Sequence, residues 1–262
     1  MLREAARSSM LRLGFAMGRK ASDSSILALL SRLKPVKTRF DLLRIGGAGD
    51  GGYLVPDDLE GISACFSPGV DNTASFEEEM VARRIPCFLA DASVGSAPFQ
   101  HELIDFEPMF LDASDGVGTI TLKTWVESKT DASDHDFLLQ MDIEGHEWSV
   151  LLDATPELLS RFRILVLELH HMDRVFDSAF LMIIDSCLKK LAKIFHVVHC
   201  HPNNAGPLLS HGGISIPTLL EVTLLRRDRA DGLGPVVEIP HALDQANLAR
   251  LPDLVLPPCI RG

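Results

Sequence analysis

The stretch from Asp136 to Trp148 reads D-F-L-L-Q-M-D-I-E-G-H-E-W, and it constrains the fold more than any other part of the chain. Phe137, Leu138, Leu139 and Met141 form an apolar run interrupted only by Gln140. A run this short falls below the length of a free-standing helix and fits a buried strand. It stops on Asp142, a second acid follows at Glu144, Gly145 breaks the strand, and a helical pattern starts at Glu147. A buried strand therefore delivers two carboxylates to its C-terminal end, the place where open α/β sheets bind ligands. The competing reading is that Asp142 and Glu144 cap the following helix, a task that needs only one acid.

The same alternation of short apolar runs and helical patterns extends along most of the chain. Strands are expected at Ser63 to Ser67, Pro86 to Ala90, Phe106 to Leu111, Arg163 to Leu169, Lys193 to His199 and Pro217 to Leu225. Between them, Ser75-x-x-Glu78 has the form of a capping box opening a helix to about Arg84. Thr121 to Ser128 is a short helix, and Asp173 is placed to cap a long one with apolar residues at Phe176, Phe180, Ile183, Ile184, Cys187, Leu188 and Leu191. Such alternation implies an α/β fold, Rossmann-like, with a mostly parallel sheet covered by helices on both faces. No convincing helix separates the last two strands, so the final strand is expected to be antiparallel. Upstream, Leu42 to Ile45 and Tyr53 to Val55 flank a turn with five glycines and read as a hairpin. The glycines suit either a flexible turn or close approach of backbone to a ligand. No G-K-[ST] follows, so this is not a P-loop. The expected organisation is a helical arm over 1–39, with a short helix at Ser24 to Leu33. A main domain over 40–229 follows, then a Pro-rich tail over 230–262 with a short helix near Leu243 to Leu251.

Composition narrows the partners. A net charge of −11 argues against non-specific binding to nucleic acid, which needs a basic face. The five cysteines contain no C-x-x-C pair, which suggests reduced thiols and a cytoplasmic location. No apolar run approaches the ~20 residues that span a bilayer. Met1 to Lys20 is basic and mildly amphipathic, and it is read as an arm rather than a secretory signal; a targeting or membrane-surface helix is the alternative.

The residues that carry chemistry lie at predicted strand ends. The first βα turn holds Ser67, Gly69 and Asp71, and Asp91, with Ala92 after it, ends the next strand about 20 residues on. That is the logic of nucleoside binding, with Asp91 placed to hold a ribose diol. Glu77, Glu78 and Glu79 on the following helix would repel a pyrophosphate, which a helix N-terminus normally attracts. S-adenosylmethionine, with its sulfonium and ammonium, fits better; a structural turn and a surface acid are the plain alternative. His170, His171, His199 and His201 fall at the ends of two strands, with Asn203 and Asn204 beyond. Residues 199 and 201 share a face of an extended segment. Asp142, Glu144, His170, His201 and Asn203 can thus converge as a general base, a hydroxyl clamp or an oxygen/nitrogen ligand set. The spacing has no zinc signature, and no bound metal is expected.

These pieces resemble the FkbM-type group of S-adenosylmethionine-dependent methyltransferases, in particular its methyltransferase-like branch. The resemblance rests on D-G-G-Y at Asp50 to Tyr53, S-x-G-x-D at Ser67 to Asp71, S-F-E at Ser75 to Glu77 and M-D-I-E-G-H-E-W at Met141 to Trp148. L-E-L-H at Leu167 to His170, H-x-H-x-N-N from His199 and P-T-L-L-E-V-T at Pro217 to Thr223 complete it. It implies a seven-stranded methyltransferase sheet, with Gly69 and Asp71 beside the cofactor and Asp91 on its ribose. It also implies methylation of a hydroxyl on a small-molecule acceptor, commonly a sugar or a secondary metabolite. The cofactor turn departs from the pattern in lacking the usual run of glycines. The expected enzyme is an O-methyltransferase with Asp142 between donor and acceptor and His170 as base. A non-catalytic methyltransferase-fold module and a metal-dependent hydrolase using Asp142, Glu144, His170 and His201 are the alternatives. The acceptor and the presence or absence of a homo-oligomer stay open.

Overall fold

The computed structural model describes Met10 and residues 18–70, 72–235 and 238–261. The basic arm thus falls almost wholly outside the described residues, and so does Asp71. A short helix α1 (Asp23–Leu30) comes first, capped by the Ser22 hydroxyl. The glycine hairpin follows, with β1 (Leu42–Ile45) antiparallel to β2 (Tyr53–Pro56). Then come β3 (Ala64–Pro68), α2 (Ser75–Ala82), β4 (Cys87–Ala90), β5 (Ile104–Glu107), α3 (Leu122–Lys129) and β6 (Phe137–Met141). Helices α4 (Glu147–Asp153) and α5 (Pro156–Ser160) lead to β7 (Phe162–Leu169), and the long α6 (Ser178–Ile194) leads to β8 (Phe195–Pro202) and β9 (Leu220–Arg226).

Seven of these strands form one sheet in the order β8-β9-β7-β6-β3-β4-β5. Strands β3 to β7 pair in parallel, and β9 enters antiparallel between β7 and β8. This is the expected Rossmann-like sheet with its antiparallel final strand. Every residue of β6 and of β7 is buried, as parallel strands covered on both faces require. Alternate residues divide between two apolar clusters. Phe137, Leu139 and Met141 pack with α4 to α6, and Leu138 packs with the hairpin and α2. Phe66 anchors the first cluster, with the rings of Phe88, Trp125 and Phe137 at 5.0, 5.1 and 5.4 Å.

Several local expectations are corrected. The strand expected over Phe106 to Leu111 splits at Pro108: β5 ends at Glu107, and Phe110–Asp112 pairs instead with Thr119–Thr121. The capping box at Ser75 does not form. Ser75 is the first helical residue, and its hydroxyl accepts from the backbone N–H of Gly47 in the hairpin. Asp173 lies in a 3-10 turn, Met172–Phe176, and Asp177 caps α6. The sheet strand expected from Pro217 starts at Leu220, because Ile214–Pro217 pairs with Leu208–His211 in a small hairpin. Residues 243–251 form no helix; their backbone carbonyls are used by side chains of the domain, as described below. Among the described residues no helix is long and apolar enough to cross a membrane.

Asp177 accepts from the N–H groups of Ala179 and Phe180 at 2.8 and 3.4 Å. Replacing it with alanine leaves the first turn of α6 without its cap. Asp177→Ala is expected to lower stability by ~1 kcal/mol in urea unfolding with an unchanged m-value.

Candidate functional site

The chain leaves β3 toward β4 and β5 on one side, and β6 and β7 lie on the other. The C-terminal ends of β3 and β6 therefore border the crevice where such sheets take ligands. Gly69 follows β3 and Asp142 follows β6, and the two loops touch. A Cβ on Gly69 would lie 1.6 Å from the Asp142 carbonyl oxygen, and its φ of +82° is a glycine conformation.

The turn after Asp142 is shaped by Glu147. This wholly buried carboxylate accepts from the N–H of Ile143 at 3.0 Å and of Gly145 at 3.2 Å, and the same oxygen lies 3.1 Å from His170 Nδ1. Helix α4 starts without a side-chain cap from Asp142 or Glu144, so the capping alternative for those acids falls. Trp148 Nε1 donates to the His170 carbonyl at 2.8 Å, so the first turn of α4 grips the end of β7 twice. With Nδ1 occupied by Glu147, Nε2 of His170 faces Glu144 at 3.3 Å and Asp142 at 3.9 Å.

Two adjoining cavities open here. One of about 150 Å³ is lined by Gly51 and Tyr53 of the hairpin, Gly69, Phe76, Glu77 and Gln140. The other, of about 460 Å³, is lined by Glu144, Glu168, His170, His171, Asn203 and Thr218, among others. Asp50 and Asp142 line both. Among the described residues no lysine or arginine lines either. Glu168 is buried; its carboxyl accepts from Asn203 Nδ2 at 2.7 Å and from the Tyr53 hydroxyl at 3.4 Å.

A family model of the methyltransferase FkbM domain matches residues 72–205, just over half of the chain. The chain belongs to the FkbM methyltransferase family. In a comparison with curated proteins nothing matches. The FkbM match spans Asp142, Glu147, His170 and Asn203, while Asp50 and Gly69 come from the segment before it.

Electrostatically this FkbM-family site is crowded with acids. Burial pushes Asp142 up to about 7, against the pull of His170. Burial, aided by the charges of Asp142, Glu221 and Asp50, pushes Glu168 up to about 10. Burial likewise lifts Glu221 to about 8 although Asn247 hydrogen-bonds it. Burial works against the charged form of His170, but the hydrogen bond to Glu147 and the nearby carboxylates outweigh it and raise the imidazole above its usual value. Burial also opposes the Glu147 charge, and the His170 hydrogen bond overcomes it and holds this carboxyl below the usual range. Asp142, Glu147 and His170 each offer a ligand atom within 4.8 Å of the others, a set that fits a small divalent ion. The Glu147–His170 hydrogen bond accounts for the closeness of those two.

Of the residues singled out in the sequence, Asp142, Glu144, His170 and Asn203 meet at the larger cavity. His201 does not join them. It shares a face with His199, the two rings stacked at 6.3 Å, but that face meets the C-terminal tail. His199 pairs with Asp244 at 2.8 Å and His201 with Asp253 at 3.2 Å. Gly69 borders the smaller cavity. Ser67 is buried beneath it, its single hydroxyl within hydrogen-bond reach of Gln140 Oε1 at 2.5 Å and of the Glu77 carboxyl. Asp91 is buried at the end of β4, accepting from Ser93 N–H at 2.7 Å, with Ala92 half-buried beside it; neither lines the two cavities. Asp50, Glu147 and Glu168 were missed as site residues. Glu168 had a visible signal, as the one acid inside the apolar run R-I-L-V-L-E-L.

The pKa of Glu168 fixes a sign. In the fold it keeps its proton up to about 10, whereas in an unfolded chain a glutamate loses it near ~4.3. Over that window the native state binds the extra proton, so its contribution to stability falls as pH rises. Glu168→Gln removes the titration and keeps an acceptor for Asn203. The variant is expected to exceed the parent by ~1 kcal/mol or more at pH 8, with the margin shrinking toward pH 5 in thermal melts.

Proposed function

We propose that this protein is an S-adenosylmethionine-dependent O-methyltransferase, with the donor's reactive end in the smaller lobe and an acceptor hydroxyl in the larger. One observation carries the reading: two cavities abut at Asp50 and Asp142, and on the acceptor side a carboxylate-held imidazole faces the junction. The donor set also fits. A lining of acids without lysine or arginine suits a cofactor with a sulfonium and an ammonium, and would repel a pyrophosphate. When bound, the donor supplies an electrophilic methyl carbon on a positively charged sulfur. The Gly69 turn borders the smaller lobe, and Asp91 at the end of β4 is assigned to the ribose, with Ala92 beside it.

Transfer breaks the carbon–sulfur bond as the acceptor oxygen forms the new carbon–oxygen bond. The electron pair stays on sulfur, leaving a neutral thioether, and the hydroxyl proton goes to a base. His170 Nε2 is assigned that role. Glu147 holds Nδ1–H, which fixes the ring and stabilises the imidazolium. Asp142 sits between the two reactants and aligns them, a proximity effect. Asn203 and the protonated Glu168 are assigned to clamp further hydroxyls of the acceptor, and Glu144 borders its entrance. An anionic acceptor would meet Asp50, Asp142 and Glu144 here and no lysine or arginine among the described residues, so a neutral polyol such as a sugar is the class that fits. Residues 230–262 then act as a wall of the main domain rather than as a separate unit. All five cysteines are unpaired, in keeping with a cytoplasmic enzyme.

Calorimetry tests the class: the wild type should bind both S-adenosylmethionine and S-adenosylhomocysteine, and no binding of either at ~1 mM sinks it. The base is tested with neutral sugars as acceptors, scoring S-adenosylhomocysteine release. His170→Ala is expected to lower kcat ~10²- to 10⁴-fold. Wild-type kcat/KM should rise with pH through a value above the ordinary imidazole pKa of ~6.5, because the base works neutral. An unchanged kcat in His170→Ala would remove the base assignment.

A further inference from the structure

Asp50 is the part of the site that arrives from furthest away. It lies in the D-G-G-Y turn of the hairpin, outside the family match, yet it lines both lobes with Asp142. The turn that carries it is braced on two sides. Arg44 donates to the carbonyls of Gly47 and Gly49 at 3.1 and 2.9 Å. From the tail, Asn247 Nδ2 donates to Asp50 at 3.3 Å and to Glu221 at 2.6 Å. Gly49 has φ +94°, and a Cβ there would lie 3.0 Å from the Asn247 carbonyl, so tail and turn are in close backbone contact. The Asp50 carboxylate is thus held at the junction by a fixed frame, and among the described residues no lysine or arginine lines either cavity.

We propose that Asp50 and Asp142 together read the charge on the donor's sulfur, so that the site holds the sulfonium form more tightly than the neutral thioether left after transfer. The inference rests on the donor reading above. Two carboxylates at the boundary of the lobes face the place where the positive charge must be when the methyl group meets its acceptor. That charge vanishes as the carbon–sulfur bond breaks. The attraction then disappears, and the mutual repulsion of the acids returns. The device loads the donor and expels the spent product with the same two groups. Asp50 is therefore a specificity-determining residue for the donor.

The test compares affinities, so it needs no acceptor. Calorimetry with S-adenosylmethionine, S-adenosylhomocysteine and sinefungin, which carries an ammonium near the position of the sulfonium, gives two charged-to-neutral affinity ratios. In the wild type both ratios are expected to exceed unity. In Asp50→Asn both should fall about fivefold, the size of one partly exposed charge interaction. The affinity for S-adenosylhomocysteine reports folding of the variant. Independently of any variant, raising NaCl from about 0.05 to about 0.5 M should narrow the wild-type preference, since an exposed carboxylate is screened. Ratios unchanged in Asp50→Asn, or a wild-type preference indifferent to salt, would overturn the inference while the methyltransferase reading stands. A wild type that binds none of the three overturns both.

Discussion

One oxygen of Glu147 holds the site together. It takes two backbone N–H groups from the turn after β6 and lies against the imidazole that ends β7. A carboxylate with no solvent exposure is costly to bury, by several kcal/mol, unless donors surround it. The protein supplies those donors from two different strand ends. The shape of the Asp142–Gly145 turn and the direction of His170 Nε2 are therefore not independent. Trp148, the next residue, closes the same seam through the His170 carbonyl. Helix α4 works less as a cover for the sheet than as a clasp between two loops that must not drift apart.

The acids around this clasp form two groups. Glu168 and Glu221 are buried, and burial keeps their protons on at neutral pH. They act as neutral hydrogen-bonding groups with amide partners, Asn203 and Asn247. Asp50 and Glu144 lie exposed at the mouth, and Asp142 stands between the groups with a pKa of about 7. The arrangement avoids stacking four or five charges in one place, yet can add charge at the junction when a cation arrives.

Much of this was legible in the sequence. The apolar runs of β6 and β7 gave their own lengths, and the acid–glycine punctuation after Met141 placed the site at a strand end. The antiparallel last strand followed from the missing helix before it. What failed did so for local physical reasons. Asp173 and Asp177 are both plausible caps in sequence, and a 3-10 turn over Met172–Phe176 moved the start of α6 to the second. Histidines 199 and 201 do share a face, but period alone cannot say whether that face meets a cavity or a returning tail. The short helix expected at Leu243 to Leu251 does not form. The segment instead forms turns whose Leu248, Leu251 and Pro252 carbonyls face the Asn204 side chain. Asp50 and Glu147 were hidden because their importance lies in tertiary contacts, Asp50 with a residue almost 200 positions away.

Asn247 lies beyond β9 in the chain, after every strand of the sheet has been made. During synthesis the sheet, the clasp at Glu147 and the histidine can all be in place while the residue that pins Asp50 is still in the ribosome. The nascent chain would have the Glu147–His170 pair and the wall of the larger cavity before Asp50 is held in place. The brace on Asp50 is thereby tied to a segment made after every strand of the sheet.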